Sequence, residues 1–130
     1  MCAIDTKQQE ALRLIRYAAD LAKNGNATVY LAHAVPSPEA GAARYMDGGL
    51  TDFLKETARK DIAGLQAEAG TQFNVCLEAG EVSHVIAYAA GNHDADLVLI
   101  GRGGLPKFAG RLLSHVYSIV RDMPCPVLSL

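Results

Sequence analysis

Apolar and polar positions along this chain alternate between two periods. Residues 2–5 (Cys2-Ala3-Ile4-Asp5) read as the tail of a short strand. Thr6 and Gln9 then fit a capping box, with Thr6 as N-cap. Ala11, Leu14, Ile15, Ala18, Leu21 and Ala22 recur at three- and four-residue spacing, the stripe of an amphipathic helix. Lys23 suits the negative end of that helix, and Asn24-Gly25 stops it. Residues 27–35 are a nearly continuous apolar run and predict a buried strand, ended by Pro36 and Pro38. Residues 36–48, rich in Pro, Gly and Ala, predict a loop.

The second half repeats the alternation. Leu50, Phe53, Leu54, Thr57, Ala58, Asp61, Ile62 and Leu65 mark a second helix, begun near Thr51 or Asp52 and closed by Gly70. Phe73, Val75 and Leu77 alternate as a third strand, broken at Gly80. Val82, Val85, Ile86 and Ala89 predict a short helix. Leu97-Val98-Leu99-Ile100 is an unbroken apolar run, as central parallel strands show. A Gly-rich loop from Gly101 to Gly110 follows, then a helix marked by Leu112, Leu113, Val116, Ile119 and Val120. Pro124 and Pro126 flank Cys125, and Val127-Leu128-Ser129-Leu130 is the last strand.

Strands alternating with helices require right-handed crossovers and a parallel sheet covered on both faces. The expected fold is therefore α/β, a doubly wound five-stranded parallel sheet in three αβα layers. No internal repeat, linker or low-complexity tract interrupts it, so residues 1–130 read as a single domain.

Composition agrees and removes whole classes of function. The 130 residues are 50% hydrophobic and 20% charged, which excludes a disordered chain. A net charge of −2, from 12 basic and 14 acidic residues, argues against a nucleic-acid binder held by phosphate contacts. No apolar run approaches the roughly 20 residues of a membrane helix. Three widely spaced cysteines, Cys2, Cys76 and Cys125, form neither a disulfide framework nor a CxxC pair and point to a reducing cytosol. Cys76 and Cys125 read as small buried hydrophobes. Cys2, on a short strand, reads as partly exposed, where a reactive thiol would be possible.

In an open parallel sheet, ligands bind beyond the carboxyl ends of the strands, at the switch point. Here those ends are Asp5-Thr6, Ala34-Val35 and the segment from Gly101 onward. Gly101, Gly103, Gly104 and Gly110 allow backbone amides to approach a ligand, and Arg102, Lys107 and Arg111 add positive charge. Ser114 falls at the start of the next helix, whose amides favour an anion. The loop could cradle phosphates, although neither a Walker A loop nor a GxGxxG after strand one occurs.

The remaining polar residues read structurally. His33 is expected as a hydrogen-bonded core histidine. His84, His93 and His115 lie far apart in sequence and share no metal-ligand spacing. Glu78 and Glu81 flank Gly80 and suit a helix start better than paired acid–base catalysis. Asp94 and Asp96 should face solvent at the amino end of strand four, opposite the ligand edge. No GxSxG accompanies Ser114.

Four stretches resemble the universal stress protein family. Ala3-Ile4-Asp5 resembles its opening V-A-[VI]-D, and Tyr30 to Val35 its second strand. Ala95-Asp96-Leu97-Val98-Leu99-Ile100-Gly101-Arg102-Gly103-Gly104 resembles its A-D-L-[IV]-[VI]-[IVM]-G-x-x-G. Pro124-Cys125-Pro126-Val127-Leu128 resembles its closing P-C-P-V-L. The resemblance implies an adenine-nucleotide alpha-hydrolase-like fold and a cytoplasmic bacterial regulatory domain of the stress response. It implies a cleft for ATP, with Mg or Mn, formed by Asp5, Ala34, Val35, Gly101, Arg102, Gly104, Leu113, Ser114 and His115. Asp5 would accept a hydrogen bond from the adenosine, or cap the first helix. Ser114 would donate to a terminal phosphate.

ATP-binding members carry G-x-x-G, nine residues, then G-[ST]. Counting forward from Gly104 places the second glycine at Ser114, and counting back from Pro126 places it at Leu113. That glycine is missing on either count. The family's branch without the motif does not bind ATP, so a dimeric interaction module with a cleft blocked near Leu113 stands beside the nucleotide reading. Slow ATP hydrolysis or phosphorylation of Ser114 stands third. In the family the closing strand makes the dimer, edge to edge and antiparallel, which implies a homodimer through Val127, Leu128, Ser129 and Leu130. Few residues precede Ala3, so strand one is expected to be short, in a trimmed chain or one half of a tandem.

Overall fold

The computed structural model describes residues 1–6, 10–37, 48–101 and 112–130, without the side chains of Gly48 and residues 112–116. Its elements run β1 (Cys2–Ala3), α1 (Ala11–Gly25), β2 (Tyr30–Val35), α2 (Gly48–Ala69), β3 (Asn74–Ala79), α3 (Val82–Asn92), β4 (Val98–Ile100), α4 (Leu112–Asp122) and β5 (Val127–Ser129). The strands form one parallel sheet in the order β3-β2-β1-β4-β5. This is the doubly wound α/β architecture expected from the alternating periods.

Register fixes which side chains face which layer. Cys2 lies level with Leu31 on β2 and Leu99 on β4, and Leu31 with Val75 on β3. Side chains alternate across the sheet. Cys2, Ile4, Leu31 and Leu99 pack with Leu14, Ile15, Ala18 and Ile62, the buried stripes of α1 and α2. Val35 and Leu77 continue that face against Ala58. Ala32, Val98 and Ile100 face the other way, against Ile86, Ala89 and Ala90 of α3 and Ile119 of α4.

Several local expectations give way to tertiary position. Cys2 is fully buried, not partly exposed, because its short strand is the central one and has a neighbour on each side. Helix α1 begins at Ala11, after Glu10 in a helical conformation without a side-chain cap, rather than at a Thr6 cap; Gln9 lies outside the described residues. It ends on Asn26, whose N–H donates to the Ala22 carbonyl and whose left-handed φ of 50° turns the Ala27 N–H back to the same oxygen at 3.0 Å. Strand β2 starts at Tyr30, so residues 27–29 precede it. Leu50 and Phe53 are 54% and 65% exposed although they lie on the apolar stripe of α2. A 22-residue helix is about 33 Å long, whereas a six-residue strand spans about 20 Å. The first turns of α2 therefore overhang the sheet.

Candidate functional site

The carboxyl ends of β1 and β4 make the natural crevice. Chain connections run from β1 toward β3 on one side and from β4 toward β5 on the other, so the switch point falls between β1 and β4. Asp5 leaves the end of β1 and Gly101 the end of β4, and Ala3 and Ile100 are register partners. The two residues thus flank the crevice. Asp5 is exposed and Gly101 half-buried. With no Cβ at Gly101, a ligand can come close to the main chain there.

Strand β2 contributes the third wall. Ala34 is half-buried at its carboxyl end, while the Val35 side chain is buried beneath α2. The Val35 carbonyl accepts the Gly80 N–H at 3.0 Å. His33 is placed as expected of a hydrogen-bonded histidine, its Nδ1 2.8 Å from the Ile4 carbonyl oxygen. A carbonyl can only accept, so Nδ1 carries the hydrogen. This bond fastens β2 to the residue immediately before Asp5, a link between site elements that the sequence pattern did not reveal.

Arg102, Gly103, Gly104, Lys107, Gly110 and Arg111 lie outside the described residues. Leu113, Ser114 and His115 fall in the first turns of α4, and the residues just before Leu112 lie outside the described residues. The structure thus brings Asp5, Ala34 and Gly101 to one edge of the sheet.

The other polar candidates take structural roles. Glu81 is the N-cap of α3, its carboxylate accepting the His84 N–H at 3.1 Å and the Ser83 hydroxyl at 2.6 Å. The Ser83 hydroxyl first, and then the backbone N–H groups, hold Glu81 below the usual carboxylate range. Glu78 pairs instead with Lys55 of α2 at 3.0 Å. Asp94 and Asp96 are exposed at the amino end of β4, beside a cavity of about 410 Å³ that also touches Cys2 and Tyr30. Burial pushes the Cys2 thiol up to about 12, which removes it as a reactive thiol at neutral pH. Cys76 and Cys125 are only half-buried, so neither is the closed core residue expected. Cys76 Sγ lies 3.3 Å from His93 Nε2, a pairing across 17 residues that has no local sequence signal. Among the described residues, no three His, Cys, Asp or Glu side chains converge as a metal site, and no helix is long and apolar enough to cross a membrane.

The sequence profile of the universal stress protein family matches residues 1–130. The chain belongs to the universal stress protein family. Solved members share its fold. The universal stress protein UspA from Lactobacillus plantarum superposes with a TM-score of 0.78 at 18% identity, over 98% of this chain and 93% of that one. A universal stress protein in complex with cAMP gives 0.65 at 23% identity, over 99% and 94%. The Archaeoglobus fulgidus universal stress protein in complex with dAMP gives 0.63 at 21%, over 98% and 93%. No curated protein matches the sequence.

Proposed function

We propose that residues 1–130 act as one cytoplasmic regulatory domain of the stress response that binds an adenine nucleotide at the carboxyl edge of its sheet. The observation that carries this reading is the placement of Asp5 and Gly101 on either side of the switch point between β1 and β4. Two family members of the same fold are solved with cAMP and with dAMP, which supports an adenine ligand. In this reading Asp5 accepts a hydrogen bond from the nucleoside, Ala34 and Val35 offer main chain, and Gly101 admits the phosphates. Arg102, Gly104, Leu113, Ser114 and His115 complete the phosphate end. With no converging ligand cluster among the described residues, Mg or Mn would be held chiefly by the phosphates of ATP. We also propose a homodimer through the open edge of β5, from Val127 to Leu130, because among the described residues β5 ends the sheet with one side unpaired.

Calorimetric titration of nucleotide-free protein with Mg-ATP, AMP and cAMP tests the binding. The expected result is micromolar affinity, about −8 kcal/mol, for at least one of them, weakened about tenfold or more in Asp5→Ala through loss of a charged acceptor. Binding only after Leu113→Gly would favour the interaction module with a cleft closed by that side chain. Absence of binding in both proteins would overturn the nucleotide reading.

A further inference from the structure

The groove along the open side of β3 holds a thiol and an imidazole in contact. Cys76 Sγ and His93 Nε2 are 3.3 Å apart. His93 closes the C-terminal end of α3, and its ring is stacked on Tyr30 of β2, with centroids 4.1 Å apart and planes 22° from parallel. The stack fixes the imidazole beside the sulfur. The pair lines a cavity of about 580 Å³, a volume typical of small-molecule sites. Ile62, Val75, Leu77 and Ala89 supply apolar wall, and Arg59 and Glu78 one charge of each sign. That lining suits a small uncharged molecule better than an ion.

We propose that Cys76 is a covalent modification site for small uncharged electrophiles of the α,β-unsaturated carbonyl class, with His93 as the base that accepts its proton. The Sγ–H proton passes to Nε2 as sulfur attacks the β-carbon. The π pair of the C=C bond moves onto the carbonyl as an enolate, and the proton returns from Nε2 to the α-carbon. An S–H bond and the π bond of the C=C are replaced by an S–C and a C–H bond, with no further reactant. Burial, and then the Glu78 carboxylate, push the Cys76 thiol up, so free thiolate is scarce and the adjoining base decides the rate. The other two cysteines give an internal comparison. Cys2 is fully buried, and Cys125 is half-buried, with no imidazole contact among the described residues.

The test is timed labelling of the intact protein with N-ethylmaleimide, read at each cysteine by peptide mass spectrometry. Cys76 is expected to react at least about tenfold faster than Cys125, and Cys2 slowest of the three. His93→Phe keeps a ring against Tyr30 and removes the base. It should slow Cys76 about tenfold or more and leave Cys125 unchanged. Equal rates at Cys76 and Cys125 in the wild type, or an unchanged Cys76 rate in His93→Phe, would overturn the proposal. If Cys2 of that variant labels as fast as the others, its fold is lost and the wild-type ratio decides: a tenfold preference for Cys76 supports the site, and parity overturns it.

Discussion

His33 Nδ1 lies 2.8 Å from the carbonyl oxygen of Ile4, tying the end of β2 to the end of β1 beside Asp5. The bond needs hydrogen on Nδ1, which both the neutral Nδ1–H tautomer and the imidazolium provide. His33→Phe should cost about 1 kcal/mol, the worth of one hydrogen bond to a buried acceptor. His33→Asn, whose amide nitrogen can take the place of Nδ1, should recover most of it. Urea unfolding of the three proteins at one pH checks this. Equal midpoints for wild type and His33→Phe would show that the bond carries no stability.

A second tie joins α3 to α4. The Ser83 hydroxyl is buried, 2.6 Å from Glu81 Oε2 and 3.2 Å from Asp122 Oδ2. Glu81 is held below its ordinary 4.5 by that hydroxyl. Asp122 is held below its own ordinary value, first by the Arg121 side chain. A carboxylate depressed in the folded state stabilises above its unfolded pKa, and the contribution fades as pH falls through the folded value. Glu81→Ala should therefore cost about 1 kcal/mol at pH 7, the worth of an N-cap. The gap from wild type should shrink as pH drops below 4.5. Urea titrations at neutral and acid pH read this directly. A gap that widens in acid would contradict the assignment.

How much of this was legible in the sequence follows from what each signal depends on. Val98, Leu99 and Ile100 are all buried, so a continuous apolar run identified a central strand without reference to anything distant. Asp5 and Gly101 were legible as strand-end residues, and the parallel sheet places strand ends on one edge. The burial of Cys2 was not legible, because it depends on β1 being central in the order β3-β2-β1-β4-β5, which no local pattern encodes. Leu50 and Phe53 misled for a related reason: their helical spacing is real, but the helix outruns the sheet it packs on. The His33–Ile4 and Cys76–His93 contacts join residues 29 and 17 apart, and only the crossovers bring them together.

Two glycines separate backbone constraint from backbone waste. Gly80 has a φ of 153°, and a Cβ there would lie 3.2 Å from Val85 Cγ2. Gly80→Ala should destabilise by about 1–2 kcal/mol, since both conformation and space oppose it. Gly64 sits inside α2, and a Cβ there would meet open space beyond the helix's own backbone. Gly64→Ala should stabilise by about 0.5–1 kcal/mol through helix propensity and a less free unfolded chain. Thermal or urea unfolding of the pair should give opposite signs. The same sign for both would mean that the Gly80 turn relaxes freely.

The proposed dimer makes a demand on single backbone groups. The Leu130 N–H donates to the Ile100 carbonyl at 2.9 Å, so the N–H groups of β5 that serve β4 fall at alternate residues. The Ser129 N–H then faces the open side of the sheet, where a second copy would pair. Ser129→Pro removes that donor and spares the bond to β4, and an extended Leu128 tolerates a following proline. Sedimentation equilibrium at tens of micromolar is expected to show a wild-type dimer and a variant weakened about tenfold or more, since each of the two copies loses its Ser129 donor across the edge. The circular dichroism of the two proteins should match, since the monomer keeps its ladder. A wild-type monomer at that concentration, or a variant that dimerises as tightly as wild type, would move the interface away from β5.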